Sequence, residues 1–501
     1  LSRIDHTTVL NQPPPTDNLQ KIPLERFWRK WLWIFVALAV LVLILLLPLP
    51  PAISTRTGEI ALSTSGRACL AIVSLCLILW VSEAIPVAVT SLLIFLLMPA
   101  FGVADFAKTL QNGFGNPLIL FFLSLFIIST AFEKVGLGHR LCDFILSLAK
   151  GKNNLLLALM LYVGALLSIL AGGLAATSIM LGTARQILSD IHDPAQRNNF
   201  GRKLLIITSW GPLIGSVGTP LGAGSNIITM VFLETLVGYK LTFLNWMVIG
   251  VPLVFLLLPF AWFILAKTFP EGNPQNHVPY VVRKTSSITP NERTFLVIFC
   301  VTLFLWIAGP GLNQLTAGRL SFLTLEFVGL AAAAIIFLPG INLLTWVEAE
   351  QGINIGIVFT VAGGLAGGVL LSQSGAAQWL STLLLHIQPG MSSIWVILLV
   401  LGVIFILRFL FTTSTAAASV CIPLVIAIST NASINPRIMA MAACFTINLS
   451  FMFPVQAAVH MMGFSAGHYS SEDMVKSGVW LSLLVIIIIA FAANTLNIII
   501  K

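Results

Sequence analysis

Four hydroxyl side chains in a row, Thr412, Thr413, Ser414 and Thr415, interrupt an apolar run, LGVIFILRFLFTTSTAAASVCIP (401–423). A helix with no task beyond spanning a bilayer gains nothing from them. A helical hairpin that turns inside the bilayer does, because its turn frees backbone groups that a solute can meet. Such a tip replaces the hydration of an anion with N–H donors at half-helix N-termini, or that of a cation with oxygen ligands. A second small-residue tip, LAGGLAATSIML (170–181), carries Gly172, Gly173 and Thr177. Two further spans are interrupted by unusual polar residues, GSVGTPLGAGSNIITM (215–230) with Gly222, Ser225 and Asn226, and FMFPVQAAVHMMGFSAG (451–467) with Gln456 and His460. Arg408 lies five residues before Thr413, about 7.5 Å along a helix.

Each of these residues has a plainer reading. Glycines also permit close helix packing. Serine and threonine hydroxyls bond their own backbone, and a buried histidine often serves only as a hydrogen-bonding strut. An arginine can snorkel to the interface. Their common placement at matched breaks favours solute contact. His460 could donate to an anion or carry a proton, since its ring titrates near neutrality. Arg408 is expected to face a cavity, the solute or a carboxylate, because a membrane arginine is costly.

The elements that hold these residues must be membrane helices. The 501 residues are 57% hydrophobic and 9% charged, with a mean hydropathy of +0.99. That leaves too little charge to cover a soluble surface of this size. The six cysteines lack paired ligand spacing and read as packing residues, with neither disulfide nor metal. The net charge of +8 is a topology signal and does not point to nucleic acid. No HExxH, CxxC or paired carboxylates accompany the tips, which argues against an enzyme.

Lysine and arginine concentrate in 21–30, 138–153, 185–203 and 267–293. All four are expected on the cytoplasmic side, and they can be so only if 154–190 enters and leaves on one face. The chain then repeats itself. An apolar span ending in a glycine turn, a hairpin tip and an interrupted span recur in the same order: Gly136 and Gly375, Gly172 and Thr413, Asn226 and His460, at offsets of 239, 241 and 234. The second half is poor in lysine and arginine, as an inverted copy would be. An inverted repeat puts a site between the two tips near the midplane. The domain reading is a flexible cytoplasmic tail 1–30, scaffold helices 31–112, a first repeat half 113–268 with hairpin 154–190, a polar linker 269–292, scaffold helices 293–352, and a second half 353–501 with hairpin 392–429.

The segment WVSEAIPVAVTSLLIFLLMP (80–99) is similar to the W-x-T-E-A-I-P-L-x-x-T-x-L-L-P signature of the divalent anion/sodium symporter family, the sodium-dicarboxylate and sodium-sulfate carriers. MAACFTINLSFMFPVQAAVHMMGFSAGHYSSEDMVKSG (439–478) resembles that family's tenth-helix region. The resemblance implies an all-α polytopic protein with about eleven transmembrane helices plus two re-entrant hairpins. It also implies a homodimer and an elevator mechanism, in which a transport domain carries the solute past a fixed scaffold. The family's tips read Ser-Asn-Thr. Here they read Gly172-Gly173-Leu174 and Thr413-Ser414-Thr415, and the broken-helix turns read Ala223-Gly224-Ser225-Asn226 and Ala457-Ala458-Val459-His460. Loss of the asparagine from both tips removes side-chain oxygens, which ranks sodium below its place in the family.

The expectation is a secondary active carrier of organic anions, di- or tricarboxylate-like and with room for bulkier ones, coupled to Na+, H+ or counter-anion exchange. A sulfate-like oxyanion carrier, a channel or receptor, and a membrane enzyme acting on a lipid-linked substrate are the alternatives. The substrate set is Gly172, Gly173, Thr177, Ser225, Asn226, Arg408, Thr413, Ser414, Thr415, Gln456 and His460. The ion set is Thr412, Thr413, Ser414, Gly222, Ser225 and Asn226. Glu83, before the helix-breaking Pro86, is expected to cap or pair. No cofactor is expected beyond a coupling ion. The location is an integral one in a bacterial inner or plasma membrane.

Overall fold

Glycine and proline decide where these helices stop. In the computed structural model, which describes residues 24–50, 52–55, 58–150, 152–269, 287–386 and 392–499, the helix Thr64–Ser82 ends at Glu83 in a left-handed conformation and Val87–Ala100 starts after Pro86. Trp80 ties that corner, its Nε1 donating to Val87 O at 3.3 Å and to Ser91 Oγ at 3.2 Å. The WVSEAIP segment is thus a turn builder. The first helix starts at Leu24, so the last residues of the expected tail extend it. Residues 1–23 and the linker residues 270–286 lie outside the described residues.

Among the described residues the architecture is helical, apart from one short antiparallel ribbon, Ile53–Thr55 with Gly58–Ile60. Among the described residues nine helices are long and apolar enough to cross a membrane. Within each helix the backbone polar groups pair along the helix itself, as hydrocarbon demands.

The internal repeat is more extensive than its three sequence markers. Eleven elements, from Thr64–Ser82 to Phe243–Thr268, recur in the same order from Pro290–Leu315 to Ser471–Ile499. The short helix Phe106–Asn112 has its partner in Trp346–Gly352, and the kinked pair Leu118–Val135 and Leu137–Ser147 in Ile355–Gln373 and Ala376–His386.

The hairpins lie where the repeat places them. The first has arms Asn153–Ala171 and Gly173–Ser189, the second Ser393–Leu407 and Ser414–Asn431. After each comes a helix broken in the middle: Pro194–Gly215, a turn through Pro220–Gly222, then Gly224–Val237; and Pro436–Asn448, Pro454–Gln456, then Ala458–Phe464. Small residues let these pieces approach. A Cβ at Gly215 would collide with Ala165 O in the first hairpin, so only glycine admits that backbone contact.

Candidate functional site

Each hairpin tip docks on the break of the other half's helix. A Cβ built on Gly173 would come within 3.6 Å of Val459 Cγ1, and one on Gly224 within 3.1 Å of Thr415 Oγ1. The first tip also meets its own half, with Leu221 O 3.2 Å from a Cβ at Gly172. Gly172 (φ 86°, ψ 159°) holds a conformation closed to side chains. The segments 172–174, 221–226, 413–415 and 456–460 therefore converge on one place.

Three half-helices of more than two turns begin there, at Gly173, Gly224 and Ser414. Their first-turn N–H groups need partners. Thr413 supplies one, its Oγ1 accepting from Ala416 N at 3.2 Å. Gly172 and Ala223 make no side-chain cap for the two helices that follow them; Asn226 N turns back to Ala223 O at 3.1 Å. The turn residues Ala223 (φ −153°, ψ 148°) and Ala457 (φ −147°, ψ 141°) share one extended conformation, which identifies the two breaks as copies. Leu174, Ser178, Thr413 and Ala458 are exposed at this surface.

Behind the tips lies a buried amide cluster. Asn226 Nδ2 donates to Ser216 O at 2.7 Å and Thr219 O at 2.8 Å, while its Oδ1 accepts from Asn448 Nδ2 at 2.7 Å. Ser225 Oγ donates to Asn448 Oδ1 at 2.5 Å. Asn226 and Ser225 thus join the first broken helix to the second. Asn448 was not singled out by sequence reasoning, although an asparagine within a run as apolar as MAACFTIN is its own signal. Thr177 Oγ1 bonds back to Gly173 O at 2.8 Å, and Gln456 Oε1 accepts from Met452 N and Phe453 N at 3.1 and 3.0 Å.

His460 is fully buried, with Nε2 2.8 Å from Ser450 O. A carbonyl only accepts, so Nε2 carries the hydrogen. Arg408 is also buried and points into the protein. Its Nε donates to Ile447 O at 2.9 Å, and its two terminal nitrogens donate to Phe411 O and Gln456 O. Among the described residues no carboxylate pairs with it.

Both tips are also tied to helices outside the hairpins. Thr412 Oγ1 donates to Glu83 Oε1 at 2.5 Å, and Ser129 Oγ donates to Ala171 O at 2.9 Å. Glu83 thus caps its own helix, as expected, and reaches the second tip as well. All six cysteines are free, and among the described residues no cluster of His, Cys, Asp or Glu could hold a metal ion.

Known proteins resemble this chain over most of its length. The profile of the family described as "Sodium:sulfate symporter transmembrane region" matches residues 28–500. A sodium-dependent dicarboxylate transporter, SdcS, of Staphylococcus saprophyticus is 27% identical over 450 residues, covering 85% of each chain. An uncharacterized transporter of Haemophilus influenzae is 28% identical over 434 residues, covering 85% of this chain and 90% of its own. The crystal structure of the YdaH transporter of Alcanivorax borkumensis, described as having an unusual topology, superposes with a TM-score of 0.55 at 13% identity, covering 94% of this chain and 97% of the other. That last likeness concerns the fold alone.

Proposed function

Since the chain belongs to the sodium:sulfate symporter transmembrane family, a family of membrane transporters, we propose that it is a sodium-driven secondary carrier of small organic dianions of the dicarboxylate class, working by an elevator movement of its hairpin-bearing half-helices. The observation that carries this reading is the meeting of two hairpin tips on two broken helices, with the N-termini at Gly173 and Gly224 free of side-chain caps. Backbone N–H groups with the positive ends of helix dipoles suit carboxylates and need no cationic side chain at the tip. Sodium coupling is drawn from the relatives named as sodium-dependent dicarboxylate transporters.

The substrate donors are assigned to the tips, to the backbone of Gly172, Gly173, Gly224, Ser414 and Thr415 together with the Thr413 and Ser414 hydroxyls. Ser225, Asn226, Gln456 and His460 support this surface from behind, since their side chains bond within the protein. The scaffold is assigned to the helices outside the hairpins and broken helices. A homodimer, the family arrangement, would fix that scaffold in the bilayer, with the N-terminus cytoplasmic as the basic segments require.

The test is uptake of radiolabelled succinate into proteoliposomes under an inward sodium gradient, against the same gradient of choline. Sodium-dependent accumulation supports the reading. Sulfate uptake with no succinate competition would move the substrate to an inorganic oxyanion, and uptake indifferent to sodium would overturn the coupling.

A further inference from the structure

Three carbonyl oxygens converge on one point beside the second hairpin tip. Phe411 O comes from the tip itself, Ile447 O from the last turn of the helix Pro436–Asn448, and Gln456 O from the turn that follows its break. Unwound carbonyls and half-helix C-termini at the midplane of a carrier make a cage for a monovalent cation. Here the cage is filled from within. The Arg408 guanidinium donates to all three oxygens and is 1% exposed.

Arg408 also follows the C-terminus of Ser393–Leu407, so the negative ends of two half-helices face its charge. No carboxylate among the described residues balances it. A buried, unpaired arginine would be very costly unless these carbonyls and dipoles compensated it.

The repeat shows that the charge is particular to one half. The offset between the tips places Arg408 opposite Leu167, beside Ser168, in the first hairpin. Neither residue carries a charge, and the Ser168 hydroxyl is buried with no hydrogen-bond partner among the described residues. One half thus holds a tethered cation where its copy holds none.

We infer that Arg408 is a built-in cation, its guanidinium permanently occupying the carbonyl cage of Phe411, Ile447 and Gln456 in place of a diffusible ion. The second hairpin is then closed on its broken helix whatever the sodium concentration. Any sodium coupling must arise elsewhere than this cage, and each cycle moves one fewer diffusible cation than a carrier with two symmetric cages. The inference rests on the reading of the chain as a cation-coupled carrier, but its test does not use transport.

Purified full-length Arg408→Ala and wild-type protein are melted in detergent while sodium chloride or guanidinium chloride replaces choline chloride at constant ionic strength. The variant is expected to melt lower, and millimolar guanidinium or sodium should raise its melting temperature by at least about 2 °C more than it raises the wild type's. A folded, monodisperse variant that responds to both cations as the wild type does overturns the proposal. Should the variant not fold, structures of the wild type determined in sodium chloride and in choline chloride decide the matter. The guanidinium is expected on the three carbonyls in both, and a sodium ion seated there with Arg408 displaced overturns the assignment. A failure of succinate uptake would leave these outcomes untouched and would count against the proposed substrate or coupling alone.

Discussion

Asn226 and His460 do the same work in the two halves of the chain. Asn226 Nδ2 donates to Ser216 O at 2.7 Å and His460 Nε2 to Ser450 O at 2.8 Å, each reaching the carbonyl ten residues upstream across the break. An amide and an imidazole are here two ways of closing one turn. The carbonyls released by the break would otherwise be buried without a donor, at about 1–3 kcal/mol each.

His460→Asn is therefore expected to fold, and to leave the pH dependence of succinate uptake as it is in the wild type, because Nε2 is committed to Ser450 O. Asn226→Leu is expected to lose more. It strands Ser216 O and takes one partner each from Thr219 O, which keeps Gly222 N, and Asn448 Nδ2, which keeps Cys444 Sγ, at about 1–3 kcal/mol for the stranded carbonyl and further loss for the weakened pairs. Thermal unfolding in detergent ranks the two. A pH profile that flattens in His460→Asn would instead show that the ring carries a proton during transport.

Gly172 offers a narrower test. Its φ of 86° and ψ of 159° lie in a region that side chains do not tolerate, and a Cβ would stand 3.2 Å from Leu221 O. Gly172→Ala is expected to cost about 1–3 kcal/mol and to shift the tip off the break at 221–224. Succinate affinity should fall in that variant. Gly136→Ala, at a left-handed glycine (φ 83°, ψ 8°) with nothing within 4 Å of the added carbon, should carry a milder backbone strain without the loss of affinity.

The order of hydroxyl, glycine and proline residues placed both hairpins and both breaks, because inside a bilayer such residues have few uses besides interrupting a helix. The internal repeat was legible for the same reason. What the residues did to one another was not. Arg408 read as a charge seeking a solute or carboxylate, yet three main-chain oxygens receive it, from segments as far as 48 residues away in sequence. Asn226 read as a ligand, but its amide is spent on Ser216, Thr219 and Asn448. Asn448 meets it across 222 residues. Backbone acceptors leave no mark in a sequence, and such partners become visible only once the two halves are packed together.

Glu348 gives a pH prediction outside the membrane helices. It opens the short helix Trp346–Gly352 and pairs with Lys134 at 2.6 Å. The hydrogen bond from Lys134, with those from the Thr345 backbone and hydroxyl, brings its pKa down from 4.5 to about 2. A carboxyl whose pKa is lower in the folded state contributes stability above its unfolded value. That contribution is present above pH 4.5 and is lost as pH falls towards 2. Glu348→Gln should therefore melt below the wild type at neutral pH, and the gap should close on acidification through that window. The pair is exposed, so the difference should also shrink in high salt. A gap independent of pH would place the loss in the helix cap alone.

Thr412 and Ala171 hold corresponding places, each just before the cap of a hairpin's second arm, and each is bonded to a helix outside the hairpins. The proposed movement has to break both contacts in every cycle, since Glu83 and Ser129 belong to the helices assigned to the scaffold. Removing a contact that exists in one position only destabilises that position relative to the others. Thr412→Val, which keeps the shape of the side chain and deletes its donor, is expected to shift the balance away from the arrangement described here. The effect of one hydrogen bond to a charged acceptor, about 1.5–3 kcal/mol, corresponds to a change of roughly 10-fold or more in that balance. Crosslinking rates of cysteines placed across the Glu83 to Thr412 gap in a Thr412→Val background would read it directly, with Glu83→Gln as the matched partner change. A hairpin that stays rigidly on its scaffold throughout transport would show equal rates in all three proteins, and the elevator reading would then fail.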